Sequence, residues 1–92
     1  MTRAQRHIGR VKALGCVICR NLSLGETPAD AHHILRSGRR IDDFHTIPLC
    51  ELHHRSGVNS AEAVSRHPWK REFESKYGSE MSLLAQTIRE LA

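Results

Sequence analysis

Cys50-Glu51-Leu52-His53-His54 carries more ligand chemistry than one site can use. Cys50 and His53 form a C-x2-H knuckle, and upstream Cys16-Val17-Ile18-Cys19 forms a C-x2-C knuckle. Two-residue spacers let both ligands of a tight turn face one ion, and zinc prefers four sulfur and nitrogen ligands in a closed tetrahedral site. The spacing therefore predicts a structural zinc on Cys16, Cys19, Cys50 and His53. The alternatives are a disulfide or unpaired buried thiols. Three cysteines cannot all pair, however, and the residues show no secretory segment that would supply an oxidising compartment.

With His53 assigned to zinc, His54 is left over and points to another face of whatever turn or helix follows Cys50. Exchanging the roles of His53 and His54 is the alternative the spacing leaves open. Two other stretches hold histidines that could join His54: the pair in Ala31-His32-His33-Ile34, and His45 in His45-Thr46-Ile47-Pro48-Leu49-Cys50.

The order C-x2-C, then a paired histidine, then H-T-I-P-L-C-x2-H-H resembles the HNH endonucleases with a ββα-metal motif. Within that superfamily it is most similar to the phage recombination enhancement function (Ref-like, RecA-dependent) nucleases, because Phe73 to Leu84, with Tyr77-Gly78-Ser79-Glu80 and Leu83-Leu84, also fits. The resemblance implies a zinc-stabilised α+β fold with a short β-hairpin and flanking N- and C-terminal helices. It implies that His32 and His54 bind a catalytic divalent ion and that His33 is the general base. His45 falls where the family has the asparagine of its name, so bracing the loop, touching metal or substrate, and tolerated replacement all stay open for it. The resemblance further implies DNA cleavage in phage or prophage recombination, at sites held by a RecA filament.

The chemistry can also be argued from the residues. Hydrolysing a phosphodiester needs a water stripped of its proton and stabilisation of charge on the phosphoryl and leaving oxygens. An imidazole, whose ordinary pKa is about 6.5, can take the proton near neutral pH, and a divalent ion can cover the remaining tasks. Two histidines do not fill a coordination sphere. Asn59 is a candidate third ligand, with a helix N-cap before Ser60-Ala61-Glu62-Ala63 as its other reading. Imidazole ligands lean toward manganese, nickel, cobalt or zinc, whereas magnesium prefers oxygen, which leaves the catalytic ion open. His7 and His67 stand alone in the sequence and read as surface or satisfied polar residues.

A chain of 92 residues with 39% hydrophobic content allows one small domain, and two Phe, one Trp and one Tyr limit its core, so a metal staple is expected. The division expected is a basic helix over 1–15, a zinc-bound core over 16–58 and C-terminal helices over 59–92. A net charge of +4 fits a phosphate-bearing partner without requiring one. Arg3, Arg6 and Arg10 recur at helical spacing, and Arg36, Arg39 and Arg40 flank Ser37-Gly38 just after the histidine pair, so both groups are candidate DNA contacts. An ordinary solvated helix face is the plainer reading of the first group.

The periodicity predicts a helix over Arg3 to Leu14 with Ile8, Val11 and Leu14 inward, and strands over Ala29 to Ile34 and Phe44 to Leu49. Pro48 confines the second strand to an edge or an end. Residues 35 to 43 read as a polar basic loop. A helix begins near Cys50 and breaks around Gly57. A further helix opens at Pro68 with Trp69, Phe73 and Tyr77 in one stripe, and a last one is capped by Ser79 with Met81, Leu84, Ile88 and Leu91 as its apolar face. No apolar run is long enough to span a membrane, and a cytoplasmic location in a bacterial host cell is expected. A non-catalytic zinc-containing DNA-binding module is the main rival to an endonuclease, with a protein-interaction factor behind it; a spare imidazole beside a metal ligand argues for the enzyme.

Overall fold

A computed structural model describes residues 1–92. Helix α1 spans Arg3–Ala13 and starts at a capping box, in which the Thr2 hydroxyl accepts from the Gln5 N–H and the Gln5 side chain returns the bond to Thr2. Only Val11 of its inward stripe is fully buried; Ile8 and Leu14 are half-covered. Gly15 ends the helix with φ +76°, and a Cβ there would lie 3.3 Å from the Thr27 carbonyl. This close approach lets the Cys16 N–H donate to Thr27 at 2.9 Å, so the first knuckle is fastened to the segment entering the sheet.

The short helix α2, Val17–Asn21, has Cys16 at its N-cap. Strand β1, Asp30–His33, pairs antiparallel with β4, Thr46–Leu49, in the register His32 opposite Ile47 and His33 opposite Thr46. The Ile34 N–H donates to His45 at 2.9 Å and sets the phase of the ladder. That phase places the Pro48–Ala31 pair between bonded pairs, so the missing proline N–H costs no ladder bond.

Residues 35 to 43 are more ordered than a loop. Strands β2, Leu35–Arg36, and β3, Arg39–Arg40, form a small hairpin turning through Ser37 and Gly38, both at positive φ. Arg36 and Arg39 are opposite one another across it.

Helix α3 is a single turn, Glu51–His54, with Cys50 as its N-cap. No helix forms over 60–63. Asn59 instead makes an isolated antiparallel bridge with Val64, so it caps no helix. Helix α4, Lys70–Tyr77, buries Phe73 completely, while Trp69 sits at the N-cap and remains 37% exposed. The three-aromatic stripe is therefore a pair, Phe73 and Tyr77, with ring centroids 5.1 Å apart.

Helix α5, Glu80–Leu91, is capped by Ser79 as expected, but its buried face is Glu80, Leu83, Leu84 and Thr87. Met81 and Ile88 are each 52% exposed, so the expected stripe is rotated by one position. Glu80 lies on the inward face, where its carboxylate meets His32 and Arg66, and Leu83, Leu84 and Thr87 at i+3, i+4 and i+7 share that face. Phe73, Leu83 and Leu84 complete one apolar cluster with Cys16 to Cys19, Ile34, Ile47, Leu49, Cys50 and Val64. Because of that rotation, Leu83→Ala should cost about 2–5 kcal/mol and Ile88→Ser less than about 0.5 kcal/mol in urea unfolding. Comparable costs at the two positions would contradict the rotated face.

Candidate metal centre and active site

One helical turn separates two clusters. Successive residues on an α-helix diverge by about 100°, so His53 and His54 on α3 face different neighbours. His53 meets Cys16, Cys19 and Cys50, all four buried. Its Nδ1 lies 3.7, 3.6 and 3.2 Å from the three sulfurs in that order, and the Cys19 and Cys50 sulfurs are 3.8 Å apart. Zinc bonds of about 2.3 Å to sulfur and about 2.1 Å to imidazole, arranged tetrahedrally, put ligand atoms roughly 3.3–3.8 Å apart. The donor set fits zinc in both chemistry and spacing. The sulfurs are too far apart for a disulfide, and all three thiols are free.

Burial pushes the Cys16 thiol up to about 12 and lowers His53 from its ordinary value. The neutral imidazole is the ligand form, and a bound cation would reverse the penalty on the thiolate.

His54 turns to a second group. Its Nε2 lies 3.2 Å from His32 Nδ1, and His67 completes a set whose ligand atoms all lie within 4.8 Å of one another. The three rings are 5.0 to 5.2 Å apart, centroid to centroid. His67 had no neighbours in the sequence to mark it. It arrives because Val64–His67 is laced to α3: Arg66 N–H donates to His53, His67 N–H to His54, and the Ser65 hydroxyl to Leu52. His67 thus offers a third ligand atom beside His32 and His54, while Asn59, the candidate from the sequence, is exposed and outside the cleft.

A buried carboxylate stands behind this group. Glu80 accepts from His32 Nε2 and from Arg66 Nε, both at 2.6 Å on the same oxygen, and Lys70 is 3.9 Å from the other oxygen. Burial alone would raise the Glu80 carboxyl, but the bonds from His32 and Arg66 outweigh it and hold it at about 2. An ionised carboxylate only accepts, so His32 must carry its proton on Nε2, and Nδ1 is left as a lone pair facing His54. His54 is lowered to about 4 by burial first and by the charges of His32, Arg55 and His67 next. His67 is lowered by burial and by Arg66. Three imidazoles with lone pairs in one place, two of them kept neutral by their surroundings, suit a divalent ion.

The cleft over this group has a volume of about 190 Å³ and is lined by His32, His33, His54 and His67, with Arg40 and Arg55 at its sides. His67, which stands alone in the sequence and reads there as a surface or satisfied polar residue, belongs instead to this cluster; Arg55, Arg66 and Glu80 carry no such signal in the sequence. His33 reaches the cleft from β1, with Nε2 2.8 Å from Asp43. His45 does not reach it: its ring is bound to Asp42 at 2.7 Å, and its carbonyl accepts from Ile34, next to the histidine pair. Arg36 and Arg39 stay exposed on the β2–β3 hairpin. Arg3, Arg6 and Arg10 line a separate cleft with His7 and Phe44, Arg3 lying 5.6 Å from the Phe44 ring centre and Arg10 donating to the Leu91 carbonyl.

Fold and site together define a small α+β domain with two separate metal-ligand clusters, one sulfur-rich and closed, the other built of imidazoles and open on one side. The chain belongs to the family of recombination enhancement, RecA-dependent nucleases, whose family model matches residues 1–92. No curated protein matches the chain. Family membership makes a recombination-linked nuclease the frame for the site and agrees with the likeness drawn from the cysteine and histidine spacing. No helix is long and apolar enough to cross a membrane.

Two outcomes test the clusters. Cys16→Ser should lose zinc and cooperative unfolding together, seen by metal analysis and thermal denaturation. Glu80→Gln keeps the shape but removes the charge behind His32, and should weaken cobalt or zinc binding at the histidine cluster by about 10–100-fold in titration calorimetry. Undiminished affinity would show that the carboxylate serves only Arg66.

Proposed function

We propose that the chain is a metal-dependent endonuclease of HNH type, acting as one unit over residues 1–92, with a structural zinc on Cys16, Cys19, Cys50 and His53. The observation that carries this reading is the convergence of His32, His54 and His67 beside His33, in a member of a nuclease family. His32, His54 and His67 would hold one divalent ion, with manganese, nickel, cobalt or zinc favoured over magnesium by an all-imidazole set. When bound, that ion supplies positive charge to polarise the scissile phosphate and steady the departing oxygen.

His33 acts as general base and removes a proton from water for in-line attack. Arg40 and Arg55 offer planar donors to the phosphate oxygens at the mouth of the cleft. His45, tied to Asp42, braces the turn after the β2–β3 hairpin. Arg36 and Arg39 on the hairpin, and Arg3, Arg6 and Arg10 on α1, contact the DNA backbone on either side. The products carry 5′-phosphate and 3′-hydroxyl ends. The family name supports a substrate presented by a RecA filament in recombination, and the likeness in sequence points to a phage or prophage setting.

Supercoiled plasmid incubated with the protein and each of magnesium, manganese, nickel and zinc tests the reading, alongside RecA-coated single-stranded DNA paired to its duplex target. His33→Ala should lower cleavage by about 10²–10⁴-fold while retaining both metals. No metal-dependent cleavage of either substrate, or equal cleavage by His33→Ala, would sink it.

A further inference from the structure

We infer that Asp43 is a positioning residue that commits the His33 imidazole to its Nε2–H tautomer and leaves Nδ1 as the ring nitrogen that takes a proton from water. The inference rests on the reading of His33 as general base. His33 Nε2 is 2.8 Å from the Asp43 carboxylate. A carboxylate only accepts, so the hydrogen in that bond belongs to the ring, and a neutral imidazole donating from Nε2 has its lone pair on Nδ1.

Asp43 is held for this task by a turn built around its neighbour. The Asp42 carboxylate accepts from the N–H groups of Phe44 at 2.8 Å and His45 at 3.0 Å, and from the His45 ring. On the other side, the Asp43 carbonyl accepts from the hydroxyl of Thr46, a fully buried residue opposite His33 in the β1–β4 ladder. Asp43 is thus fixed from both directions at the level of its histidine. Its only ion-pair partner is His33, so it neutralises no arginine or lysine.

Both β1 histidines line the cleft, and each meets its own carboxylate: Glu80 from α5 behind His32, Asp43 from the 42–45 turn behind His33. The same device gives two results. His32 keeps Nδ1 for a ligand bond, and His33 keeps Nδ1 for a proton. In the step itself, one water proton passes to His33 Nδ1 while Nε2–H stays donated to Asp43. The water oxygen bonds to phosphorus, and the phosphorus–O3′ bond breaks with its electron pair remaining on O3′. Solvent protonates O3′, and the imidazolium returns its proton to solvent. Asp43 neither gains nor loses a proton.

Asp43→Asn and Asp43→Glu test this in the full-length protein. Histidine ring ¹⁵N NMR reads the tautomer without reference to cleavage. Asp43→Asn, whose amide can donate to the ring, should move His33 toward the Nδ1–H form and lower kcat by about 10²–10⁴-fold, since the wrong tautomer withholds the base. KM should stay within about twofold, and the thermal midpoint should not move, because the carboxylate is 48% exposed. Asp43→Glu should recover part of both signals. An unshifted tautomer, an unchanged kcat, or a rise in KM at constant kcat, which would mark a docking contact, overturns the inference. Cleavage that ignores metal or survives His33→Ala defeats the nuclease reading instead, and the NMR spectrum still reports whether Asp43 sets the tautomer.

Discussion

Two neighbouring side chains on one turn of helix cannot face the same ion, and the arrangement of this molecule follows from that constraint. Cys50 caps α3, His53 returns to the cysteines, and His54 is carried round by about 100° to the other histidines. The turn is too short to be stable by itself, since isolated helices need several turns before propagation offsets nucleation. It is held by its ligand-bearing residues on one side and by the Val64–His67 segment on the other. The apolar core is small, and a metal held by the four-ligand cluster would substitute for interior that a longer chain would supply.

The imidazole cluster illustrates how charge is arranged when burial is nearly complete. Glu80 is an ionised group at 3% exposure, and burying it is tolerable because His32 and Arg66 converge on it. Arg66 in turn lies one residue from His67 and donates its backbone N–H to His53. The ion pair, the third imidazole and the sulfur-rich cluster thus share one stretch of backbone.

Legibility in the sequence divided along physical lines. Ligands in knuckles were readable because the spacing itself encodes a turn, and the strands expected over Ala29 to Ile34 and Phe44 to Leu49 form within those bounds, as Asp30–His33 and Thr46–Leu49. His67 and Glu80 were hidden because each is delivered by tertiary contacts: His67 by hydrogen bonds to α3, Glu80 by a helix whose apolar stripe is shifted one residue from the pattern Met81, Leu84, Ile88 and Leu91 suggests. A charged residue directly after a capping serine reads as ordinary N-terminal charge on a helix, and nothing local distinguishes one that turns inward. The β2–β3 hairpin escaped notice for a different reason. Its strands are two residues long, below the length at which alternation can be seen.

The lacing of Ser65, Arg66 and His67 onto α3, with Glu80 behind His32, also means that the two clusters draw on different lengths of chain. The ribosome releases β1 and α3 well before α5, so a nascent chain can present both knuckles while His32 still lacks its carboxylate and His54 its third neighbour. The sulfur-rich cluster draws on residues 16 to 53, whereas the imidazole cluster also needs His67 and, behind His32, Glu80 from α5. The two clusters thus differ in how much of the chain must be in place before each is complete.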